Sequence, residues 1–297
     1  MSVNTIATSR SYLSAKVSDY AMLTKFRLSV LVVFSAVVGY LFAVNGTVSW
    51  ASVLWLTLGG ALVTGASNAL NQILERDIDR LMTRTSQRPL PANRMTVTEA
   101  ILIAGALGVS GILLITIHFN ALAGVLSALS LISYAFLYTP LKRVHPIAVF
   151  VGAIPGALPP MIGYVCAAGT IDFAAVLLFT IQFVWQFPHF WSIAWVQFDD
   201  YLKAGIMLLP SAEGRSKASA MQIVVYSALL LVISTLPYML GMVGFWSNFA
   251  ILLTGFCMFY LALKHHKNCD ITTARAVMFG SFAYLPLTQL AMLFGKL

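Results

Sequence analysis

The sequence predicts an all-α integral membrane protein: nine transmembrane helices in a bundle, with the N-terminus on the cytoplasmic side. Three observations predict it. Nine apolar stretches lie at about residues 28–44, 51–74, 99–117, 120–139, 147–166, 172–197, 221–241, 245–263 and 276–295. Each is close to the ~20 residues a helix needs to cross ~30 Å of hydrocarbon. With successive connections on alternating sides, every one of the 18 Lys and Arg except Lys296 falls on one side, and basic residues stay cytoplasmic. Finally, a chain that is 59% hydrophobic and 9% charged cannot cover a water-soluble surface. The net charge of +8 is explained by this topology, so nucleic acid is not expected as a partner.

The elements follow in order. Residues 1–27 form a cytoplasmic N-terminal segment without an apolar core and small-residue cleavage site, so no signal peptide is expected. Within it, residues 11–24 mix Tyr12, Leu13, Val17, Tyr20 and Leu23 with Lys16 and Asp19. That pattern suits either an interfacial amphipathic helix or a short unstructured tail. Residues 28–297 make one membrane domain. Its outer connections, such as Asn45-Gly46 and Gly241 to Gly244, are only long enough to reverse the chain. Two inner connections, about 75–98 and 198–220, are much longer and are the expected active-site loops. Cys166, Cys257 and Cys269 have no CxxC spacing and are expected to be passive.

The second span runs into NQILERDIDRLMTRTSQRPLPANR, in which Asn71, Glu75 and Asp79 are spaced i, i+4, i+8. On a helix they share ~80° of arc over ~12 Å, and Asp77 points away. A stripe of hard oxygen donors entering the membrane is costly unless liganded and suits Mg²⁺. The competing reading is a ladder of salt bridges with Arg76 and Arg80. Arg84, Arg88 and Arg94 follow in a segment broken by Pro89 and Pro91. Guanidinium groups there either neutralise a diphosphate leaving group or face anionic lipid headgroups. A second acidic pair, Asp199-Asp200, follows the sixth span on the same side. Two such clusters suit a diphosphate clamped by Mg²⁺.

With both clusters in view, the chain resembles the UbiA superfamily of intramembrane prenyltransferases, whose NxxxDxxxD motif follows helix two and whose second Asp-rich motif follows helix six. Glu75 stands where that family has the central Asp, and DDYLKAG is less Asp-rich than usual. Further motifs carry the resemblance to the haem-farnesylating branch: TKFRLS from Thr24, YTPLKR from Tyr138, GAIPGALPPMIGY from Gly152, WQFPHFW from Trp185 and DDYLKAGIMLLP from Asp199. One departure is Val144-His145-Pro146, where a Thr is expected after the basic pair.

The resemblance implies a helical bundle around a lipid-accessible cavity in the bacterial inner membrane. It implies farnesyl diphosphate and haem b as substrates, Mg²⁺ as cofactor, and haem O, formed with water addition, as product. Asn71, Glu75, Asp79, Asp199 and Asp200 are then the catalytic and metal-binding set. Arg84, Arg88, Lys142, Arg143 and Lys203 are the diphosphate-binding set. Contact with haem A synthase or oxidase assembly factors belongs to the same expectation. His189 beside Pro188 either meets the porphyrin or its iron, or hydrogen-bonds the carbonyl that Pro188 frees. Trp185 and the neighbouring aromatics either line a porphyrin or prenyl slot or pack the span. His118, His265 and His266 read as interfacial residues. The rival functions are prenyl transfer to a quinone-precursor aromatic acid or a chlorin, and transport. Against transport, both acidic clusters lie at the membrane edge instead of the midplane.

Overall fold

The computed structural model describes residues 14–297. Among them, nine helices are long and apolar enough to cross a membrane: α1 (Phe26–Ala43), α2 (Trp50–Leu74), α3 (Val97–His118), α4 (Ala121–Leu141), α5 (Ala148–Ala168), α6 (Phe173–Val196), α7 (Lys217–Met239), α8 (Phe245–Asn268) and α9 (Ile271–Phe294). The protein is thus an all-α, multi-pass membrane protein. Of the N-terminal segment, residues 1–13 lie outside the described residues, and residues 14–23 are helical. That stretch is pinned to the start of α3, because Lys16 pairs with Glu99 at 3.1 Å and Asp19 with Arg94 at 2.9 Å.

The helices begin where the sequence supplies caps. Ser49, Thr96, Asn120, Asp172, Ser216 and Asp270 each accept a backbone N–H of the first turn of α2, α3, α4, α6, α7 and α9, which satisfies donors that have no intrahelical partner. Gly169 ends α5 at φ +72°, a backbone that side chains resist.

Packing puts a cavity at the centre. α1 contacts α2, α5 and α9; α4 contacts α3 and α5; α6 contacts α5, α7 and α9; α8 contacts α7 and α9. Helices α1, α2, α4, α5, α6 and α9 enclose about 320 Å³, and Ile115 of α3 completes the wall. Leu28 and Leu31 of α1 line this space and are exposed. The lining carries no Asp, Glu, Lys or Arg among the described residues.

The most buried span is α5, and its sequence explains why. A Cβ on Gly39 of α1 would overlap the Pro160 carbonyl, and one on Gly163 of α5 would overlap the Ala36 carbonyl. The two backbones therefore touch. Pro159 and Pro160 have no N–H to donate to the carbonyls of Pro155 and Gly156. Ser130 Oγ donates to the first at 3.2 Å and Gln182 Nε2 to the second at 2.8 Å. The prolines thus tie α5 to α4 and α6 by polar contacts, and the carbonyls they free inside the membrane stay hydrogen-bonded.

Candidate active site

The Asn71, Glu75, Asp79 stripe survives a break in the helix. α2 ends at Leu74, and Glu75 sits at φ −100°, ψ 3° before a separate turn from Arg76 to Asp79. The i, i+4 ladder nevertheless continues, because Glu75 N donates to Asn71 O at 3.0 Å and Asp79 N to Glu75 O at 2.8 Å. All three side chains are buried. Asp77, off the stripe, is exposed and pairs with Arg76 at 3.0 Å. Arg80 turns to the Pro91 carbonyl and to Asn93. Neither arginine reaches the stripe, so the salt-bridge ladder is not formed.

Three cations from elsewhere meet the stripe instead. Lys25, in the left-handed turn before α1 (φ 49°), donates to Asn71 Oδ1 at 2.9 Å. Lys142, at the end of α4, lies on Glu75 Oε1. Arg88 Nη1 contacts Asp79 Oδ2 at 2.6 Å. Burial, with the Arg88 and Lys142 charges alongside, lowers the Lys25 ammonium to about 7. Asn71 is held in one orientation: its Nδ2 donates to Thr139 Oγ1 at 3.1 Å, and that hydroxyl donates to the Tyr134 carbonyl at 2.9 Å. A π-helical turn over Ser133–Tyr138 sets up this contact; such wide turns re-aim side chains at functional sites. The Tyr138 ring lines the central cavity and lies 5.7 Å from Lys142 Nζ, so the charged cluster lies behind one wall residue of the apolar space.

The second acidic pair divides. Asp200 accepts the backbone N–H groups of Thr83 and Arg84 at 2.9 and 3.1 Å, and Lys203 Nζ bridges Asp200 Oδ1 and Thr83 Oγ1 at 3.1 and 3.0 Å. Asp199 is 73% exposed and pairs with Arg215 at 3.0 Å; Arg215 also donates to the Trp195 carbonyl at 2.8 Å. The two loops are therefore docked on each other, but the Asp199 carboxylate is not brought to the stripe. Arg84 and Arg143 are exposed at the surface, whereas Arg88 and Lys142 are drawn in. Arg94 is engaged with Asp19 and the Gln87 carbonyl.

Oxygen donors on a two-carboxylate ladder fit a hard divalent cation. One specific atom supports that fit: Asp79 Oδ1 is buried and has no hydrogen-bond donor, a costly state unless a ligand meets it.

His189 and Trp185 line the cavity wall. His189 Nδ1 lies 2.8 Å from Ser281 Oγ on α9, and so reaches across to a neighbouring helix, not back to the carbonyl that Pro188 frees. Trp185 stacks on His189 at 4.4 Å. His265 is fully buried, with Nδ1 3.1 Å from Thr273 Oγ1, so the interfacial expectation fails for it. Sequence reasoning also missed the roles of Lys25, Thr139 and Ser281. Lys25 and Thr139 stand inside TKFRLS and YTPLKR, but nothing local pairs either with Asn71. Ser281 had no signal at all.

Comparison with known proteins agrees with this architecture. The UbiA prenyltransferase family matches residues 32–285. A protoheme IX farnesyltransferase of Cytophaga hutchinsonii is 44% identical over 96% of this chain and 100% of its own length. One from Christiangramia forsetii is 42% identical over 94% of this chain and 93% of its own. Among solved structures, a digeranylgeranylglyceryl phosphate synthase superposes with TM-score 0.78 at 21% identity, covering 95% of this chain and 98% of that one. An Archaeoglobus fulgidus UbiA homologue bound to GPP and Mg²⁺ superposes with TM-score 0.66 at 15% identity, covering 90% and 99%. At those identities the superpositions establish the fold, and with the family match and the near full-length relatives they lead to one conclusion: this chain belongs to the UbiA prenyltransferase family.

Proposed function

We propose that the protein transfers the farnesyl group of farnesyl diphosphate to a vinyl group of haem b, with addition of water, to give haem O. The single observation that carries the reading is a juxtaposition. A buried oxygen ladder, Asn71, Glu75 and Asp79, ringed by Lys25, Lys142 and Arg88, lies behind Tyr138, a wall residue of an apolar cavity that His189 also lines. The relatives named for this reaction over nearly their full length support the choice of acceptor.

Each part of the site has a task. Asn71, Glu75 and Asp79 would hold Mg²⁺, which when bound draws electron density from the diphosphate as it departs. Lys25, Lys142 and Arg88 neutralise the charge that builds on that leaving group. Their present carboxylate and amide partners keep them aimed before substrate arrives. The charge-free cavity keeps bulk water from the allylic cation until the vinyl carbon meets it, and both the polyprenyl tail and the porphyrin partition into apolar surroundings. Asp200 holds the loop at Thr83 and Arg84, and so acts on the ladder from behind. By the positive-inside rule, the ladder faces the cytoplasm and the N-terminus lies inside; the family match and the named relatives support the bacterial inner membrane as its location.

The test is the haem content of membranes with and without this protein, read by mass. A species heavier than haem b by one farnesyl group and one hydroxyl group is expected, the other proton of the water being released. Asp79→Asn and Glu75→Gln should abolish it, each by roughly 100-fold or more, in protein that still inserts, while Asp77→Asn retains it. Farnesylation of an added aromatic acid with haem b left unchanged would move the assignment to a different acceptor class.

A further inference from the structure

Ser281 determines which nitrogen of His189 carries the proton. Ser281 Oγ lies 2.8 Å from His189 Nδ1 and 2.6 Å from the Met278 carbonyl oxygen. A carbonyl oxygen only accepts, so the one hydroxyl proton of Ser281 is committed to Met278. What remains on Oγ is a lone pair, and Nδ1 must donate to it. No carboxylate lines the cavity among the described residues, so nothing there stabilises a second proton on the ring. Nε2 is therefore unprotonated, and with Nδ1 turned to α9 it lies on the ring edge toward the cavity that His189 lines.

The ring is also held in orientation. Trp185 stacks on it at 4.4 Å with an interplanar angle of 17°, and Phe282 meets it edge-on at 4.7 Å. Trp185 Nε1 donates to the Ser281 carbonyl at 2.8 Å, so one residue of α9 anchors both the imidazole and the indole on which it rests. An unprotonated imidazole nitrogen facing apolar surroundings is an acceptor without a donor. It is also what an iron centre takes as an axial ligand, and a metal-bound histidine characteristically donates its other N–H to a fixed acceptor.

We infer that Ser281 is a positioning residue that locks His189 as the Nδ1–H tautomer and so presents Nε2 to the iron of the tetrapyrrole acceptor. The inference rests on the haem reading proposed above.

The experiment uses the full-length protein in detergent with two readouts. In the haem-free protein labelled with ¹⁵N-histidine, the resonance absent from His189→Gln should report a protonated Nδ1 and a bare Nε2. Ser281→Ala should move it toward the Nε2–H form, and Ser281→Thr should restore it. With ferrous haem added, the wild type should show an iron–histidine stretch in resonance Raman that His189→Ala loses. In Ser281→Ala the stretch should fall in frequency and haem affinity should weaken by roughly 10- to 100-fold, with recovery in Ser281→Thr. Retained binding of farnesyl diphosphate by each variant shows that it is folded. A protonated Nε2 in the wild type, or an unchanged iron–histidine stretch in His189→Ala, overturns the inference while haem O formation still stands. Absence of both haem binding and haem O formation in the wild type overturns the inference together with the reading beneath it.

Discussion

The Asp200 carboxylate closes on the backbone of Thr83, accepting its N–H at 2.9 Å from a position 117 residues further along the chain. This contact, with its neighbour to Arg84 N, docks the two long connections on each other. The adjacent Asp199 takes no part in it. Asp200→Ala should therefore leave two backbone donors without their acceptor and destabilise the docked loops by about 1–3 kcal/mol. Asp199→Ala, which removes an exposed ion pair, should cost less than about 1 kcal/mol. Limited proteolysis between residues 75 and 98, run beside thermal unfolding in detergent, measures the difference. Equal sensitivity of the two variants would refute the division of roles.

The same contact sets a pH dependence. Burial alone would raise the Asp200 carboxyl, but the Thr83 and Arg84 N–H groups and Lys203 outweigh it and bring the value down to about 2 from 3.8. A depressed carboxyl contributes its stability above the unfolded value and loses it as pH falls through the folded one. The gap in stability between the wild type and Asp200→Asn should stay constant from about pH 7 to 5 and close between about pH 4 and 2. A gap that opens as the pH falls would contradict the assignment.

Lys142 and Glu75 form a buried pair. Lys142→Met strands a carboxylate in a buried setting and should cost about 3 kcal/mol or more in the metal-free protein. The double variant Lys142→Met with Glu75→Gln should recover much of that loss, because it leaves no uncompensated charge. A double-variant cycle on thermal unfolding reads this directly, and additive losses would show that the pair is not coupled.

Backbone contact between α1 and α5 leaves no room for a methyl group at Gly163, whereas Gly105 on α3 has nothing within 4 Å of the same position. Gly163→Ala should destabilise by about 1–3 kcal/mol or misassemble, and Gly105→Ala should be neutral or slightly stabilising. Folded yield after detergent extraction, measured by size-exclusion chromatography, separates the two. A well-behaved Gly163→Ala would mean that α1 and α5 do not pack as described.

The sequence by itself determined what is written in local pattern. Span length is imposed by bilayer thickness, so nine helices are legible one at a time, and a period of 3.6 residues is enough to align Asn71, Glu75 and Asp79 while turning Asp77 outward. The caps at Thr96 and Asp270 are equally local. Tertiary structure alone decided which charges meet those oxygens. Lys25 and Lys142 lie 46 and 67 residues from Asn71 and Glu75 in the chain, and only the docking of α1 and α4 against α2 brings them in. Neighbours in sequence part for the same reason: Lys142 turns inward and Arg143 outward, Asp200 locks a loop and Asp199 pairs at the surface. The proton on His189 is decided furthest from local pattern. It depends on Ser281, 92 residues away, because a hydrogen bond between helices is fixed by how their faces pack and leaves no periodicity in the chain.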